Sequence, residues 1–173
     1  MERPSENEYA SYYQKYVSLI ADNIVSALNH QLEEMQNIFS SLNEETGNYA
    51  YDTGKWTIKE LLGHVIDTER VFSYRIMCIA RGEKQSMPGM DQNDYVNGTD
   101  FNSRSLPSLE EEYKHLRLAN IALVKSLKEE ELNKKGTASN NPVTVRALVF
   151  ILAGHEKHHL NILKERYNSV FTK

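Results

Sequence analysis

Apolar side chains recur every three or four residues along most of this chain, in long runs separated by polar stretches that carry most of the Gly and Pro. That period puts them on one face of an α-helix. The first run, about Glu6 to Leu42, carries Tyr9, Tyr13 and Tyr16, then Ile24, Leu28, Leu32, Met35, Ile38, Phe39 and Leu42. The stretch Val17 to Asp22 breaks the alternation, and Asp22 is a candidate N-cap. A short lead-in helix followed by a main helix is expected. Tyr12 and Tyr13 are adjacent and cannot face the same way, which puts one of them at a rim or an interface.

A second helix opens on Thr57 and Glu60, the spacing of a capping box. It continues through Leu61, Leu62, Val65, Phe72 and Ile76 and ends near Arg81, before Gly82. Residues 83–107 read as an irregular loop, with turn signals at Pro88-Gly89, Asn97-Gly98 and Ser105-Leu106-Pro107. A loop of this length contains short helices or covers a site. Met87, Met90 and Tyr95 either pack beneath it or line a pocket. The third helix runs from about Ser108 to Glu131. A loop from Gly136 to Pro142 leads into the fourth, which starts at Asn141 or Thr144 and reaches about Tyr167. No run reads as a convincing strand. The expectation is an all-α four-helix bundle, with loops long enough to permit a crossover connection.

The fourth helix interrupts its own pattern. Its stripe reads Leu148, Leu152, His155, His159, Ile162, so two imidazoles occupy inward positions four residues apart. Burying an imidazole costs free energy unless both nitrogens find partners. Two readings follow: hydrogen-bonded core histidines, or two ligands of one metal ion, with a carboxylate or carbonyl on the second nitrogen. His158 lies about 100° around the helix and is expected at the rim. His64, in Leu-Gly-His-Val-Ile-Asp-Thr-Glu on the second helix, is the best third ligand. Asp67 could accept a hydrogen bond from a ligand imidazole, or be a solvated charge like Glu69. Arg70 and Arg75 are candidates for an anionic substrate group or members of a solvated helix face. His30 and His115 lie in polar surroundings and are expected to be exposed. His155-Glu156-Lys157-His158-His159 also fits H-E-x-x-H. The extended protease pattern fails, because Ile162 and Glu165 stand where Gly and His would be needed.

Composition narrows the classes. The 173 residues are 40% hydrophobic and 25% charged, which suits one soluble domain spanning 1–173. Net charge is −4, and Lys and Arg are scattered, so nucleic acid is not an expected partner. The N-terminus is polar and acidic, and no apolar run is long enough to span a bilayer. Cys78 is alone, which rules out an internal disulfide and fits a reducing, cytoplasmic setting.

Four segments together resemble the DinB-like (DinB/YfiT) superfamily of metal-dependent enzymes. They are Lys55-Trp56-Thr57-Ile58-Lys59-Glu60-Leu61-Leu62-Gly63-His64, then Asp67-Thr68-Glu69-Arg70, Pro88-Gly89-Met90-Asp91, and Gly154-His155-Glu156-Lys157-His158-His159-Leu160. The resemblance covers essentially the whole chain. It implies a four-helix bundle in up-down-down-up order and a divalent metal, zinc or nickel, held by His64, His155 and His159. It also implies a small-molecule substrate, often a homodimer, and in some relatives a low-molecular-weight thiol cosubstrate. A bound ion would activate water or a thiol, with Glu156, Asp67 or Glu69 as candidate bases. A non-catalytic metal-binding bundle is the alternative.

Overall fold

The structure is a computed structural model that describes residues 1–21 and 23–171. After 3-10 turns at Glu6–Glu8 and Ser11–Tyr13 come α1 (Gln14–Val17), α2 (Ile24–Ser41), α3 (Glu44–Gly47) and α4 (Ile58–Ala80). Next are α5 (Gln92–Asn97), a 3-10 turn at Phe101–Ser103, α6 (Leu106–Ser126) and α7 (Glu129–Leu132). β1 (Lys135–Ala138) and β2 (Asn141–Thr144) precede α8 (Val145–Arg166) and α9 (Asn168–Phe171). The expected N-cap Asp22 lies outside the described residues. The side chain of Asn23 caps α2 instead, accepting from the amide of Ser26.

The capping chemistry sets the starts of the long helices. Thr57 accepts from the amide of Glu60, and Glu60 reaches back to Thr57, closing the capping box on α4. Ser105 caps α6 ahead of Pro107, so that helix starts slightly earlier than Ser108. Of the two candidate caps, Thr144 starts α8, accepting from the amide of Ala147. Gly82, at φ 98°, terminates α4 in the left-handed region that glycine tolerates.

The four long helices α2, α4, α6 and α8 form the bundle. Gln31 bonds Ala153, and Glu34 meets Lys157 and Lys164, so α2 and α8 run parallel. The start of α4 meets the end of α8, where the Tyr167 hydroxyl donates to the Trp56 carbonyl. Leu106 bonds Glu44 just beyond the end of α2, so α6 runs against α2 and alongside α4. The order is therefore up-down-down-up, which requires the crossover between α4 and α6 that the long loop supplies.

Two differences from the expected fold stand out. The segment read as a loop at 136–142 is part of an antiparallel hairpin, with Lys135 opposite Thr144. Its tip, Ser139 (φ 51°) and Asn140 (φ 60°), has both residues left-handed, the conformation of a two-residue hairpin turn. Strands of four residues are too short to show alternation in sequence. The other difference is the third helix, which ends at Ser126 rather than near Glu131, with α7 as a separate turn. The 83–107 loop folds down as α5 and a 3-10 turn, the short helices its length called for. The Phe101 ring packs against Gly63, where an added Cβ would come within 2.3 Å of it.

Two apolar clusters fill the bundle. One gathers around Leu28, Phe72, Ile76, Ile121 and Leu148. The other gathers around Met35, Leu61, Leu62, Leu109, Tyr113, Leu160 and Leu163. Between them every long helix carries buried polar residues: Gln31 on α2, Thr68 and Glu69 on α4, Arg117 and Asn120 on α6, and His155, Glu156 and His159 on α8. Half of this polar layer is an ion network. Arg117 pairs with Glu69 (2.8 Å) and with Glu156, Asn120 donates to Glu69 (2.9 Å), and the Tyr113 hydroxyl donates to Glu156 (2.8 Å). The histidines occupy the other half.

Candidate metal centre

α4 and α8 pack side by side and antiparallel, which places His64 opposite the His155/His159 pair. The Nε2 atoms of His64 and His155 are 3.1 Å apart, and those of His155 and His159 are 3.2 Å apart. A donor nitrogen from each of the three falls within 4.8 Å of the others. All three rings are buried. A tetrahedral ion with bonds of about 2.0–2.1 Å holds its nitrogens roughly 3.3 Å apart, which the two close pairs match.

Electrostatics favour lone pairs on these nitrogens. Burial lowers the His64 pKa to about 4. Burial also holds His155 and His159 well below the ordinary imidazole value, and the neighbouring histidines push them lower still. Neutral imidazole is the form that ligates a metal. Thr68 Oγ1 lies 3.3 Å from Nδ1 of His64, so that nitrogen can donate while Nε2 keeps its lone pair. The Nδ1 atom of His159 is buried with no hydrogen-bond partner. Three neutral donors converging from two rigid helices fit a divalent metal ion.

Aromatic rings frame the cluster. Trp56 lies 4.8 Å from His64, Phe72 lies 5.9 Å from His155, and Tyr16 meets both His155 and His158 edge-on at 5.4 Å. Tyr16 is held there by α1, whose backbone passes against α8 at Gly154. A Cβ at that position would sit 2.1 Å from the Tyr16 carbonyl oxygen. Cavities open on both sides of the histidines. One, of about 370 Å³, is bordered by Trp56, His158, His159 and Tyr167. The other, of about 240 Å³, is bordered by His64, Thr68, Arg75, Met90 and His155. Tyr16, Lys15 and Gln92 border both.

The carboxylates singled out from sequence lie elsewhere. Glu69 and Glu156 are buried, and their oxygens are engaged by Arg117, Asn120 and Tyr113. Asp67 is half-buried and reaches Arg70 at 3.4 Å, so Thr68 rather than Asp67 faces the His64 ring. Burial raises the Asp67 carboxyl, and Arg70 pulls against that rise. His158 is half-buried at the rim, and His30 and His115 are exposed, as expected. Met90 lines the smaller cavity, Met87 packs into the core, and Tyr95 borders a separate surface cavity. Trp56, Tyr16 and Arg75 complete the surroundings. Arg75 is buried rather than part of a solvated face. Only the side-chain geometry of a folded chain reveals that, because Arg75 lies in a helix face interleaved with exposed Tyr74 and Met77.

No described helix is long and apolar enough to cross a membrane. Comparison with known proteins bears on the same residues. A protein of Oceanobacillus iheyensis named "Putative metal-dependent hydrolase" is 31% identical over 129 residues, covering 72% of each chain. Among solved structures, YfiT of Bacillus subtilis superposes with a TM-score of 0.76 at 13% identity, covering 97% of this chain and 93% of that one. It is described as a probable metal-dependent hydrolase with an unusual four-helix bundle topology. A DinB-like protein of Bacillus subtilis, YjoA, matches with a TM-score of 0.62 at 19% identity, covering 88% of this chain and 94% of that one. The DinB superfamily profile matches residues 27–163, a span that contains all three histidines. The chain is a member of the DinB superfamily.

Proposed function

We propose that this protein is a metal-dependent enzyme acting on a small molecule, either a hydrolase or a thiol-dependent S-transferase, with His64, His155 and His159 as ligands of one divalent ion. The observation that carries the reading is the convergence of three buried Nε2 atoms between two cavities. Structural zinc takes four protein ligands, whereas three leave a position for an exchangeable molecule. A divalent ion there, zinc or nickel, would act as a Lewis acid and lower the pKa of water or of a low-molecular-weight thiol.

The chain's own residues then have definable tasks. Thr68 holds the His64 ring in one tautomer. Trp56, Phe72 and Tyr16 restrict water around the cluster. Glu156 is tied to Tyr113 and Arg117, which argues against the metalloprotease use of H-E-x-x-H, where that Glu must reach the reacting water. Asp67 stands outside the Arg117 network, but it pairs with Arg70 and borders neither cavity, so none of the three candidate carboxylates stands at the histidines. The relative's name supports the hydrolase branch. Cytoplasmic location and a homodimer, with exposed Tyr12 at its interface, complete the proposal. The alternative is a bundle that binds metal without turnover, for which ion removal lowers stability and nothing else.

The test is a screen of zinc- and nickel-loaded protein against esters, amides, and electrophiles paired with low-molecular-weight thiols. Turnover that requires the ion and falls to background in His155→Ala is expected. Full ion occupancy with no turnover in any class would favour the non-catalytic bundle.

A further inference from the structure

Among the described residues, Arg75 is a buried cation with no carboxylate paired to it. Its side chain is 4% exposed. Its Nη2 donates to the Pro88 carbonyl (2.7 Å) and to Ser139 Oγ (3.2 Å), and the guanidinium stands 5.9 Å over the Phe72 ring. The Tyr13 phenol, held neutral by burial, also borders it. None of these groups carries a charge. The other buried arginines differ: Arg117 meets Glu69 and Glu156, and Arg146 meets Glu129. A charge removed from water without a counter-charge is costly, and proteins offset that cost by pairing. Among the described residues, no carboxylate forms an ion pair with Arg75.

Arg75 lines the cavity of about 240 Å³ that His64 and His155 also line. His64, Thr68, Phe72 and Arg75 follow one face of α4 and all line this cavity. Three helical turns, a rise of about 16 Å, separate the first from the last. Long helical side chains lean toward the N-terminus, so Arg75 leans back toward His64 and shortens the gap. A planar guanidinium is suited to bidentate pairing with a carboxylate or phosphate.

We propose that Arg75 binds the anionic end of an elongated small-molecule substrate, a carboxylate or phosphate group, whose other end reaches the three histidines. This rests on the metal reading of the preceding subsection. Ser139 and Pro88 hold the guanidinium in place by occupying one edge of the fork, which leaves the rest for the ligand. The hairpin tip and the Pro88 segment therefore act as positioning elements. A purely structural Arg75, stapling those two segments to α4, would influence stability but not discriminate between charged and uncharged ligands.

The experiment uses the full chain loaded with Co²⁺, whose absorption bands report ligand exchange at the ion. The probes are ω-mercaptocarboxylates of increasing chain length, ω-mercaptoalkyl phosphates, and uncharged alkanethiols matched in length. In the wild type, one window of chain length should show an anionic probe binding about tenfold to hundredfold tighter than its neutral partner, the range for a charge-assisted hydrogen bond. Whichever anion shows the larger advantage identifies the group. Arg75→Gln should abolish the advantage with cobalt content and bands unchanged, and Arg75→Lys should retain part of it. Equal binding of charged and neutral probes at every length would overturn the proposal on the wild type alone. So would an advantage that survives in Arg75→Gln. Absence of cobalt bands in the wild type would overturn the metal reading and this proposal together, whereas bands without discrimination would overturn only this one.

Discussion

Arg117→Ala should destabilise the folded chain by about 3–5 kcal/mol, the cost of removing one partner from a buried ion pair. Arg117 is fully buried, and its guanidinium is shared by Glu69 from α4 and Glu156 from α8. Its Nη1 also points at Gln31 of α2, at 3.4 Å. All four long helices therefore meet at this one side chain. Deleting it leaves two carboxylates in the core with only neutral donors, Asn120 and Tyr113, to solvate them. The loss exceeds what the missing methylenes would cost, because the stranded charges dominate. Urea unfolding gives the direct measure, as a lower midpoint at an unchanged slope. Simultaneous replacement of Arg117, Glu69 and Glu156 by apolar residues of similar volume should recover most of the loss. A change below about 1 kcal/mol in Arg117→Ala would mean that the carboxylates are solvated or protonated, and that the polar layer is not a charged network.

Gly154→Ala is the second substitution with a large expected effect, and here two influences oppose each other. Inside a helix, Ala is favoured over Gly by about 1 kcal/mol. Against this, the new methyl would sit 2.1 Å from the Tyr16 carbonyl oxygen and 2.5 Å from its carbonyl carbon. Both contacts are with backbone, which cannot rotate away. That carbonyl also accepts from the Leu19 amide at 3.0 Å, so α1 has to move as a unit. Overpacking of this kind costs about 1–3 kcal/mol and sometimes more, so sterics should win. The melting temperature should fall, by roughly 2–4 °C per kcal/mol for a chain of this size. Tyr16 should leave His155 and His158, which near-ultraviolet circular dichroism would register. Metal binding by the proposed site should survive, since none of the three histidines is displaced. A higher melting temperature with unchanged aromatic signals would contradict the close packing of α1 on α8.

Much of this was readable in the sequence. The helical period located the four long helices, and the cap at Thr57 was explicit because Glu60 follows at the required spacing. His155 and His159 were identifiable because they replace apolar residues in a regular stripe. The hairpin at 135–144 was not legible, because four-residue strands carry too few positions for alternation to emerge. The burial of Glu69, Glu156 and Arg75 was hidden for a different reason. A charged residue in a helix reads as solvated unless its partner is known, and Arg117 lies far away in sequence. Tyr16 was visible as an aromatic on the first helical run, but its contact with His155 depends on how α1 folds back over Gly154.

The most direct measurement is elemental analysis of the purified, tag-free protein, comparing wild type with His64→Ala. Three neutral imidazoles converging at one point call for about one divalent ion per chain in the wild type. The variant should lose it while keeping its helical circular dichroism spectrum. No ion in either protein after incubation with zinc, nickel and manganese, or equal content in both, would contradict the three-histidine centre.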